Sequence, residues 1–423
     1  MLDDLKIGII GLGYVGLPLA IELGSKFTTI GYDIDATRIN EIKSGKDRTA
    51  ELDESDFQKA CYIKFTKELC DIADCNFYIV TVPTPVDINN MPDLSSLIMA
   101  TKTVSSVLSH GDIVVYESTV FPGATEEICV PILENESGLV FNQDFSCGYS
   151  PERINPGDKI HRLPDIAKIT SGSNEGALNI IDKVYKAIIT VGTIKVSSIK
   201  IAEAAKIIEN TQRDVNIALI NELSMIFARL NLDTYEVLEA AGSKWNFLKF
   251  QPGLVGGHCI GVDPYYLAYK ARQLDYEPNL ILSGRRINNY MPVHIAHTMI
   301  KKMFKKCKRD TKKHVLVLGL TFKENCPDTR NSKVLDLVKE LESFGIIVEC
   351  FDPHVVPEAI SLEYDMAVIT EPEFGKYDGI IVAVAHNEFR ILGSDKIRLY
   401  GKPDHLLFDL KNIFPISQSD IRL

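Results

Sequence analysis

The 423-residue sequence lacks several features that would mark other classes of protein. It has no apolar run approaching the ~18 residues that a membrane span needs. The start, Met1-Leu2-Asp3-Asp4, lacks the basic residues of a signal peptide, so we expect a soluble cytoplasmic protein. A formal net charge of −11 argues against a nucleic-acid binder, because phosphates would be repelled over most of the surface.

The nine cysteines lack the pattern of a disulfide framework or a zinc site. They are scattered, odd in number and contain no CxxC pair, which is typical of reduced thiols. His294 and His297 could share a helix face, but no third ligand is near them in the sequence, so we predict no metal. Cys259 is different, because the glycines at 256, 257 and 261 keep its thiol reachable. It is either a nucleophile or a small buried hydrophobic residue.

The first pattern that is present is typical of dinucleotide binding. A predicted strand over 6–10 leads into Gly11-Leu12-Gly13-Tyr14-Val15-Gly16, a helix, a strand over 28–32 and then Asp33. In such a GxGxxG turn the glycines let the backbone approach a pyrophosphate at the helix N-terminus, and the acid binds ribose hydroxyls. Because Asp33 would repel the 2′-phosphate of NADP, we predict NAD as the cofactor.

Further strands are predicted at 76–82, 112–117, 144–149 and 190–196, with a helix over 94–108. Ligands of an open parallel sheet bind beyond the carboxyl ends of its strands. The turns Thr81–Pro85 and Ser118–Gly123 are therefore candidates for cofactor contact, or else ordinary loops in which Pro and Gly end the strands. Glu152 lies in a similar turn, and is either a base beside the nicotinamide or a solvated loop charge.

The middle of the chain is strongly helical. Residues 199–230 contain no Pro or Gly and have apolar residues at helical spacing. A single helix there would be about 48 Å long, so we expect it to bridge two domains and to offer a dimer face. Lys206 and Asn210 lie one turn apart on it and either cradle an oxyanion or form a surface pair. More helices are predicted at 233–241, 264–274 and 278–304.

From residue 314, strands and helices alternate again without a second GxGxxG. Strands are predicted at 315–321, 346–351, 379–384 and 406–409, with a helix over 332–344. The segment Phe322–Ser332 brings cations to a helix N-terminus, which favours an anion site. The predicted class is α/β, with two Rossmann-like doubly wound domains joined by a long central helix and a helical dimerisation region. The predicted domains span 1–197, 198–305, which carries the Cys259 loop, and 306–423.

Seven motifs in order resemble the UDP-glucose and GDP-mannose dehydrogenase family, over essentially the whole chain. They are GLGYVGLP at 11–18, TVPTP at 81–85, ESTVFPG at 117–123, YSPERINPGD at 149–158, AEAAKIIEN at 202–210, GGHCIGVDP at 256–264 and LTFKENCPDTRNS at 320–332. KWNF at 244–247, GLVGGHCIGVDPYYL at 253–267 and ENCPD at 324–328 are most similar to the UDP-N-acetylhexosamine 6-dehydrogenases of bacterial surface polysaccharide pathways, the Vi-antigen and O-antigen type.

The resemblance implies a four-electron oxidation of the C6 alcohol of UDP-GlcNAc or UDP-GalNAc to a carboxylate, using two NAD, for surface polysaccharide biosynthesis. It implies that Cys259 attacks the C6 aldehyde to give a thiohemiacetal, and that the thioester formed from it is hydrolysed by water. Lys206 and Asn210 match the pair that stabilises negative charge at C6. Asp263 and Thr119 match residues that position water or transfer protons, and Glu152 matches the Glu assigned to thioester hydrolysis.

The resemblance also implies the binding residues. Those for NAD are Gly11, Gly13, Tyr14, Val15, Gly16, Asp33, Arg38, Thr84, Ser118, Thr119 and Arg330. Those for the substrate are Glu152, Arg153, Lys206, Asn210, Lys249, Gly256, Phe322 and Lys323, and in this set Lys249 and Lys323 offset the diphosphate. The C-terminal domain would bind the UDP-sugar. The expected partners are this substrate and further copies of the chain, as a homodimer or higher homo-oligomer, with no nucleic acid, membrane or metal.

One departure from the family pattern bears on the substrate. UDP-glucose dehydrogenases use an Arg of the neighbouring subunit where Ala241-Gly242-Ser243 stands here, which fits a pocket reshaped for an N-acetyl group. UDP-glucose, UDP-ManNAc and GDP-mannose are alternatives with the same chemistry. A two-electron hydroxyacid dehydrogenase would share the glycine turn but would not need Cys259. A non-catalytic NAD-binding scaffold is the third class.

Overall fold

The computed structural model describes residues 4–49, 51–87, 89–154, 162–257, 260–306 and 312–423, and at residue 359 the backbone alone. The predicted nucleophile, Cys259, lies outside the described residues. The chain divides into two compact units. The first comprises the residues up to Glu209 together with Tyr265–Glu277, and the second comprises Asn210–Pro264 and Pro278–Leu423.

An eight-stranded sheet forms the centre of the first unit. Its strands are β1 (Lys6–Ile10), β2 (Thr28–Tyr32), β3 (Ile63–Thr66), β4 (Phe77–Val80), β5 (Ile113–Tyr116), β6 (Ser146–Tyr149), β7 (Lys168–Gly172) and β8 (Thr193–Lys195). They lie in the order β3-β2-β1-β4-β5-β6-β7-β8, and the pairs are parallel except for β6 with β7. β1 and β2 have the predicted limits, because their apolar runs are short, buried and bounded by turns.

Helices cover this sheet, with the turns at their ends set by local hydrogen bonds. They are α1 (Gly16–Gly24), α2 (Ala36–Lys43), α3 (Glu54–Phe57), α4 (Ser95–Ser105), α5 (Val130–Ser137) and α6 (Glu175–Lys186). Asp35 and Asn174 cap α2 and α6, each accepting a hydrogen bond from a backbone N–H of the first turn. A π-helical turn, Thr125–Cys129, precedes α5.

The helical middle of the chain follows. It contains α7 (Ile199–Leu230), α8 (Thr234–Gly242), α9 (Asp263–Gln273) and α10 (Asn279–Lys306). The limits of α7 are those predicted, because no Pro or Gly interrupts it. α7 begins in the first unit and ends in the second.

The second unit contains a five-stranded parallel sheet. Its strands are β9 (His314–Leu318), β10 (Ile347–Phe351), β11 (Tyr377–Val382), β12 (Gly401–Asp409) and β13 (Ile421–Arg422), in the order β10-β9-β11-β12-β13. Its helices are α11 (Lys333–Ser343), α12 (Pro357–Tyr364) and α13 (Asn387–Arg398). The predicted α/β class, with two Rossmann-like doubly wound sheets and a long central helix, is confirmed. The division into three domains stays a prediction.

Several strands differ from the sequence prediction in their limits or were not predicted. β9 ends at Leu318 and not at residue 321, because Gly319 has a φ of +94° and turns the chain out of the sheet. The short strands β3 and β7 were not predicted, since four or five residues carry little periodicity. None of the described helices combines the length and hydropathy of a membrane span.

Candidate functional site

The glycine turn after β1 has the shape of a cradle for a pyrophosphate. Gly11 has a φ of +95°, which L side chains rarely adopt. A Cβ at Gly16 would collide with the carbonyl oxygen of Gly11 and with Thr81 Oγ1, so only glycine fits there. At Gly13 nothing lies within 4 Å of the place a Cβ would take. The turn is closed on the protein side and open on the other, which suits a ligand lying against bare backbone.

The N-terminus of α1 continues this cradle. Tyr14 and Val15 are half-buried in the same turn, and among the described residues no side chain caps α1. Because the first N–H groups of a helix and its dipole favour a phosphate, this end of α1 fits the pyrophosphate of NAD.

Asp33 and Arg38 hold the turn from the side of β2. The carboxylate of Asp33 accepts hydrogen bonds from the backbone N–H of Leu12 at 2.8 Å and of Asp35 at 2.9 Å. Arg38 is buried and donates from Nε to the carbonyl oxygen of Leu12 at 2.8 Å and from Nη2 to Asp47 at 2.8 Å. Asp33 is therefore held at the end of β2 beside the glycine turn, while the described contacts of Arg38 brace the backbone of the turn.

The carboxyl ends of β4 and β5 bring three predicted cofactor residues together. Thr84 Oγ1 donates a hydrogen bond to the carbonyl oxygen of Thr119 at 2.6 Å. Ser118 Oγ donates to the carbonyl oxygen of Val82 at 2.7 Å. Because β1, β4 and β5 are parallel neighbours, these turns lie at the same edge of the sheet as the glycine turn.

Glu152 belongs to a buried charge cluster that the sequence did not predict. The Nζ of Lys168, at the start of β7, lies 2.9 Å from Glu152 Oε2 and 2.7 Å from Glu117 Oε2. The other carboxylate oxygen of Glu117 accepts a short hydrogen bond from the hydroxyl of Tyr185. All four side chains are buried. No motif in the sequence around Lys168 predicts this cluster, because the other residues of β7 are uncharged.

These contacts make the two glutamates differ in acidity. Burial raises the pKa of Glu117 to about 7. Burial also acts on Glu152, but Lys168 and two backbone N–H groups outweigh it, and the pKa of Glu152 is lowered. Glu152 is therefore ionised at neutral pH. The neighbouring Arg153 turns its guanidinium to Glu209, at 2.8 Å.

A second buried carboxylate, Glu203 on α7, fastens the turn that carries Thr119. Its two oxygens accept hydrogen bonds from the backbone N–H of Gly123 at 2.5 Å and of Thr125 at 2.9 Å. Burial raises the pKa of Glu203 to about 7. The predicted Lys206 is also buried, one turn further along α7. Sequence reasoning missed Glu203, although it lies inside the AEAAKIIEN motif.

In the second unit, the structure joins two of the predicted catalytic residues. Asn210 Nδ2 donates a hydrogen bond to Asp263 Oδ2 at 2.6 Å, and both side chains are buried. Asp263 is the first residue of α9, four positions after Cys259 in the sequence.

The segment before Cys259 is fastened to the turn before α11. Asn331 accepts a hydrogen bond on its carbonyl oxygen from the N–H of Gly257 at 3.1 Å, and its Nδ2 donates to the Gly257 carbonyl oxygen at 2.8 Å. A Cβ at Gly256 would lie 2.6 Å from the carbonyl oxygen of Asn331, and one at Gly257, where φ is +85°, would meet the ring of Phe322. These glycines are therefore required by close backbone packing.

A crevice rich in lysines lies beside this segment. Three predicted substrate residues line it, Gly256, Phe322 and Lys323, with the N-terminal residues of α11. Lys333 and Lys411, which the sequence reasoning missed, line it as well. One glutamate, Glu324, lines the crevice too, and Lys333 is paired with Asp336 at 2.8 Å. Three lysines against one glutamate, together with a helix N-terminus, favour an anion such as a diphosphate.

Two predicted binding residues lie apart from this crevice. Lys249 borders a separate cavity of about 530 Å³ in the second unit, beside Phe250 and Tyr235. Arg330 forms a two-pronged ion pair with Asp328, at 2.9 and 2.6 Å. The structure thus gives Lys249 and Arg330 no place among the lining residues of the crevice.

The described cysteines differ in exposure. Cys61 and Cys70 are exposed, and the rest are buried. Burial raises the pKa of Cys75 and Cys129 to about 12, so these thiols are not thiolates near neutral pH.

Comparison with protein families matches the chain in three consecutive segments. Residues 5–189 match the NAD binding domain, residues 200–290 the central domain and residues 316–416 the UDP binding domain of the UDP-glucose/GDP-mannose dehydrogenase family. The first match agrees with the glycine cradle and confirms NAD as the cofactor.

Individual relatives match the chain over its whole length. It is 56% identical over 422 residues to the UDP-N-acetyl-D-glucosamine 6-dehydrogenase of Salmonella typhi, covering 100% of this chain and 99% of that protein. It is 54% identical to the enzyme of the same name from Pseudomonas aeruginosa, covering 100% of both. Among solved structures, a UDP-D-ManNAc dehydrogenase from Pyrococcus horikoshii superposes with a TM-score of 0.88 at 32% identity, covering 97% of this chain and 96% of that one.

Proposed function

The chain belongs to the UDP-glucose/GDP-mannose dehydrogenase family, and from this premise we propose that it oxidises C6 of a UDP-N-acetylhexosamine, UDP-GlcNAc or UDP-GalNAc, to a carboxylate for surface polysaccharide synthesis. The observation that carries the choice of sugar is the identity of 54–56% to two UDP-N-acetyl-D-glucosamine 6-dehydrogenases. UDP-ManNAc, UDP-glucose and GDP-mannose are outcomes of the test below.

The first unit holds the cofactor in this proposal. The turn Gly11–Gly16 and the N-terminus of α1 take the pyrophosphate, Asp33 takes a ribose, and Thr84, Ser118 and Thr119 line the neighbouring strand ends. Bound NAD accepts one hydride in each of the two oxidations.

Cys259 is the proposed nucleophile. Its thiolate adds to C6 of the aldehyde and forms a thiohemiacetal, and loss of hydride from C6 then leaves a thioester. A thiol suits both steps, because the adduct can lose hydride and the thioester can be hydrolysed. The packing of Gly256 and Gly257 against Asn331 holds the backbone at these two glycines, which precede Cys259 in the sequence.

Lys206, Asn210 and Asp263 are the proposed partners of the reacting oxygen. An ammonium and an amide stabilise the negative charge that develops on the C6 oxygen. The bond from Asn210 Nδ2 to Asp263 uses one of the two N–H donors of the amide and fixes its orientation, so that the other N–H is the donor proposed for the C6 oxygen.

Glu152 is the proposed base for the last step, the hydrolysis of the thioester, with Arg153 bracing the same turn. Its ionised form at neutral pH supports this role, because a base must be unprotonated to accept a proton from water.

In the second unit, Lys323, Lys333 and Lys411 with the N-terminus of α11 bind the diphosphate, and Gly256 and Phe322 line the same crevice. Lys249 and Arg330 remain predicted contacts, for substrate and NAD respectively.

We further propose that the protein is cytoplasmic and works as a homodimer or higher homo-oligomer. The described cysteines are all free thiols, which supports a reducing compartment. An exposed apolar face of α7, formed by Leu219, Ile226 and Leu230, supports self-association.

The test is a panel of UDP-GlcNAc, UDP-GalNAc, UDP-Glc, UDP-ManNAc and GDP-mannose, with the NADH yield per product measured for each. We expect two NADH per product and the highest kcat/KM with a UDP-N-acetylhexosamine. In Cys259→Ser, turnover should fall by roughly three orders of magnitude or more while substrate still binds, because a hydroxyl is a far weaker nucleophile at neutral pH.

Cys61→Ser, at an exposed cysteine, is the matched control and should leave turnover unchanged. One NADH per product, or wild-type turnover in Cys259→Ser, would refute the four-electron mechanism. Binding of NAD without turnover of any sugar in the panel would favour a scaffold.

A further inference from the structure

Lys168 lies where a strand residue would ordinarily be apolar. It is the first residue of β7, and 1% of its surface is exposed. Its ammonium bridges two carboxylates, Glu152 at 2.9 Å and Glu117 at 2.7 Å, that lie 16 and 51 residues away in the sequence. Burying a lysine costs free energy unless its charge is paired. We therefore expect Lys168 to act through the carboxylates that it pairs with.

The described donors hold Glu152 in one orientation. Its Oε1 accepts hydrogen bonds from the backbone N–H of Arg153 at 2.6 Å and of Ile154 at 2.7 Å, and its Oε2 accepts from Lys168. A carboxylate has about four lone-pair sites, and the described donors occupy three of them. Lys168 is the donor that fixes the second oxygen and so sets the plane of the group.

We propose that Lys168 is the positioning residue of Glu152, holding its carboxylate in the orientation that accepts a proton from water in thioester hydrolysis. This inference rests on the proposed function. In the proposed function, Lys168 contacts neither the substrate nor the cofactor and acts only through Glu152.

The step balances as follows. The oxygen of water bonds to C6 of the thioester, and one proton of that water passes to Glu152. The C–S bond breaks, its electron pair leaves on the sulfur of Cys259, and the product carries the new carboxyl group. No electrons are exchanged with the cofactor in this step.

Among the described residues, two charged groups lie beside Glu152 and bear on how its charge depends on pH, the ammonium of Lys168 and the carboxyl of Glu117, which in turn accepts a hydrogen bond from the hydroxyl of Tyr185. The guanidinium of Arg153 is turned to Glu209. Because Lys168 lowers the pKa of Glu152 against the effect of burial, its removal lets that pKa rise. The acid limb of the hydrolysis rate would then move to higher pH.

The experiment compares Lys168→Met with Lys168→Arg, and with Lys183→Met as the matched control at an exposed lysine of α6. Rapid-quench assays follow NADH, and intact-protein mass follows the acyl group on the enzyme. For Lys168→Met we expect a burst approaching two NADH per active site, a steady state about 10²-fold below wild type, and accumulation of the acyl-enzyme. Lys168→Arg should restore most of the hydrolysis rate, and Lys183→Met should match wild type.

A second pair of variants controls for misfolding. In Lys168→Met the carboxyl of Glu117 loses its counter-ion, which could destabilise the fold. Comparing Glu117→Gln with Glu117→Gln/Lys168→Met avoids this effect, because neither variant has the buried carboxyl of Glu117. Within this pair we expect the same burst, the same acyl-enzyme and an acid limb shifted to higher pH in the double variant.

Three results would overturn the inference. One is wild-type hydrolysis without acyl-enzyme in folded Lys168→Met and in the double variant. The second is an unmoved acid limb, and the third is loss of the first oxidation as well, which would indicate a merely structural role. The proposed function fails differently, because the wild-type protein itself would then not yield two NADH per product.

Discussion

Two buried glutamates of the first unit show how the partner of a side chain sets its charge. Glu152 has an ammonium beside it and stays ionised, whereas the hydrogen bonds described for Glu203 come from the backbone N–H groups of Gly123 and Thr125. Burial therefore dominates at Glu203 and raises its pKa to about 7, from 4.5 for an ordinary glutamate. The same side-chain type thus has a lowered pKa in one place and a raised pKa in the other.

The pKa of Glu203 predicts a pH dependence of stability. Because the folded chain holds this proton more tightly than the unfolded chain, the contribution is fully present below pH 4.5 and is lost as the pH rises through about 7. Wild type should therefore lose up to about 3 kcal/mol relative to Glu203→Gln between pH 4.5 and 8. Denaturant unfolding at several pH values measures the difference.

Glu136→Gln, at an exposed glutamate of α5, is the control and should follow wild type at every pH. Parallel pH profiles for wild type and Glu203→Gln would contradict the assignment of a raised pKa to this carboxyl.

At the scale of elements, α7 carries an apolar face that nothing in the second unit covers among the described residues. Leu219, Ile226 and Leu230 are 52%, 45% and 60% exposed. Their spacings of seven and four residues place them on one side of the helix. An exposed aliphatic stripe on a helix of this length is typical of a subunit interface.

We expect Ile226→Glu/Leu230→Glu to reduce the native mass of the assembly, because two charges would be buried in the contact. Light scattering after size-exclusion chromatography measures this mass. Ala228→Glu is the control, since Ala228 is exposed on the opposite side of α7 and should leave the mass unchanged. A double variant that keeps the wild-type mass would exclude this face from the interface.

At the scale of the whole molecule, the same glycine turn with the same hydrogen bonds occurs in both sheets. Gly11 and Gly319 have φ values of +95° and +94°. The N–H of each glycine donates a hydrogen bond to the carbonyl oxygen of the residue that precedes an aspartate. Those aspartates, Asp33 and Asp352, each accept from the N–H that follows the glycine, at 2.8 and 2.6 Å. The copies differ in that Asp352 is buried and paired with His386, whereas Asp33 is half-buried.

This difference predicts that only the first copy binds NAD. Asp33→Asn should weaken NAD binding about 10- to 100-fold, because a charged acceptor for the ribose is lost. Asp352→Asn is the matched change and should leave the affinity for NAD unaltered while lowering stability. Calorimetric titration with NAD measures both. Equal losses of affinity in the two variants would refute the assignment.

Much of the fold was open to prediction because its signals are local. The strands Lys6–Ile10 and Thr28–Tyr32 and the helix Ile199–Leu230 have the predicted limits, since apolar periodicity and the spacing of Pro and Gly act over a few residues. The glycine turn and Asp33 were predicted for the same reason. The family followed from ordered motifs, each a short string that can be read without knowing the fold.

By itself, then, the sequence determined the α/β class, the NAD cradle and the family to which the chain belongs. Only the tertiary structure decided that Lys168 joins Glu117 to Glu152, that Lys333 and Lys411 complete a crevice with Lys323, and that Lys249 borders a different cavity. Such contacts join residues tens of positions apart, and strand order and burial bring them together. The charge of a side chain then depends on neighbours that no local pattern specifies.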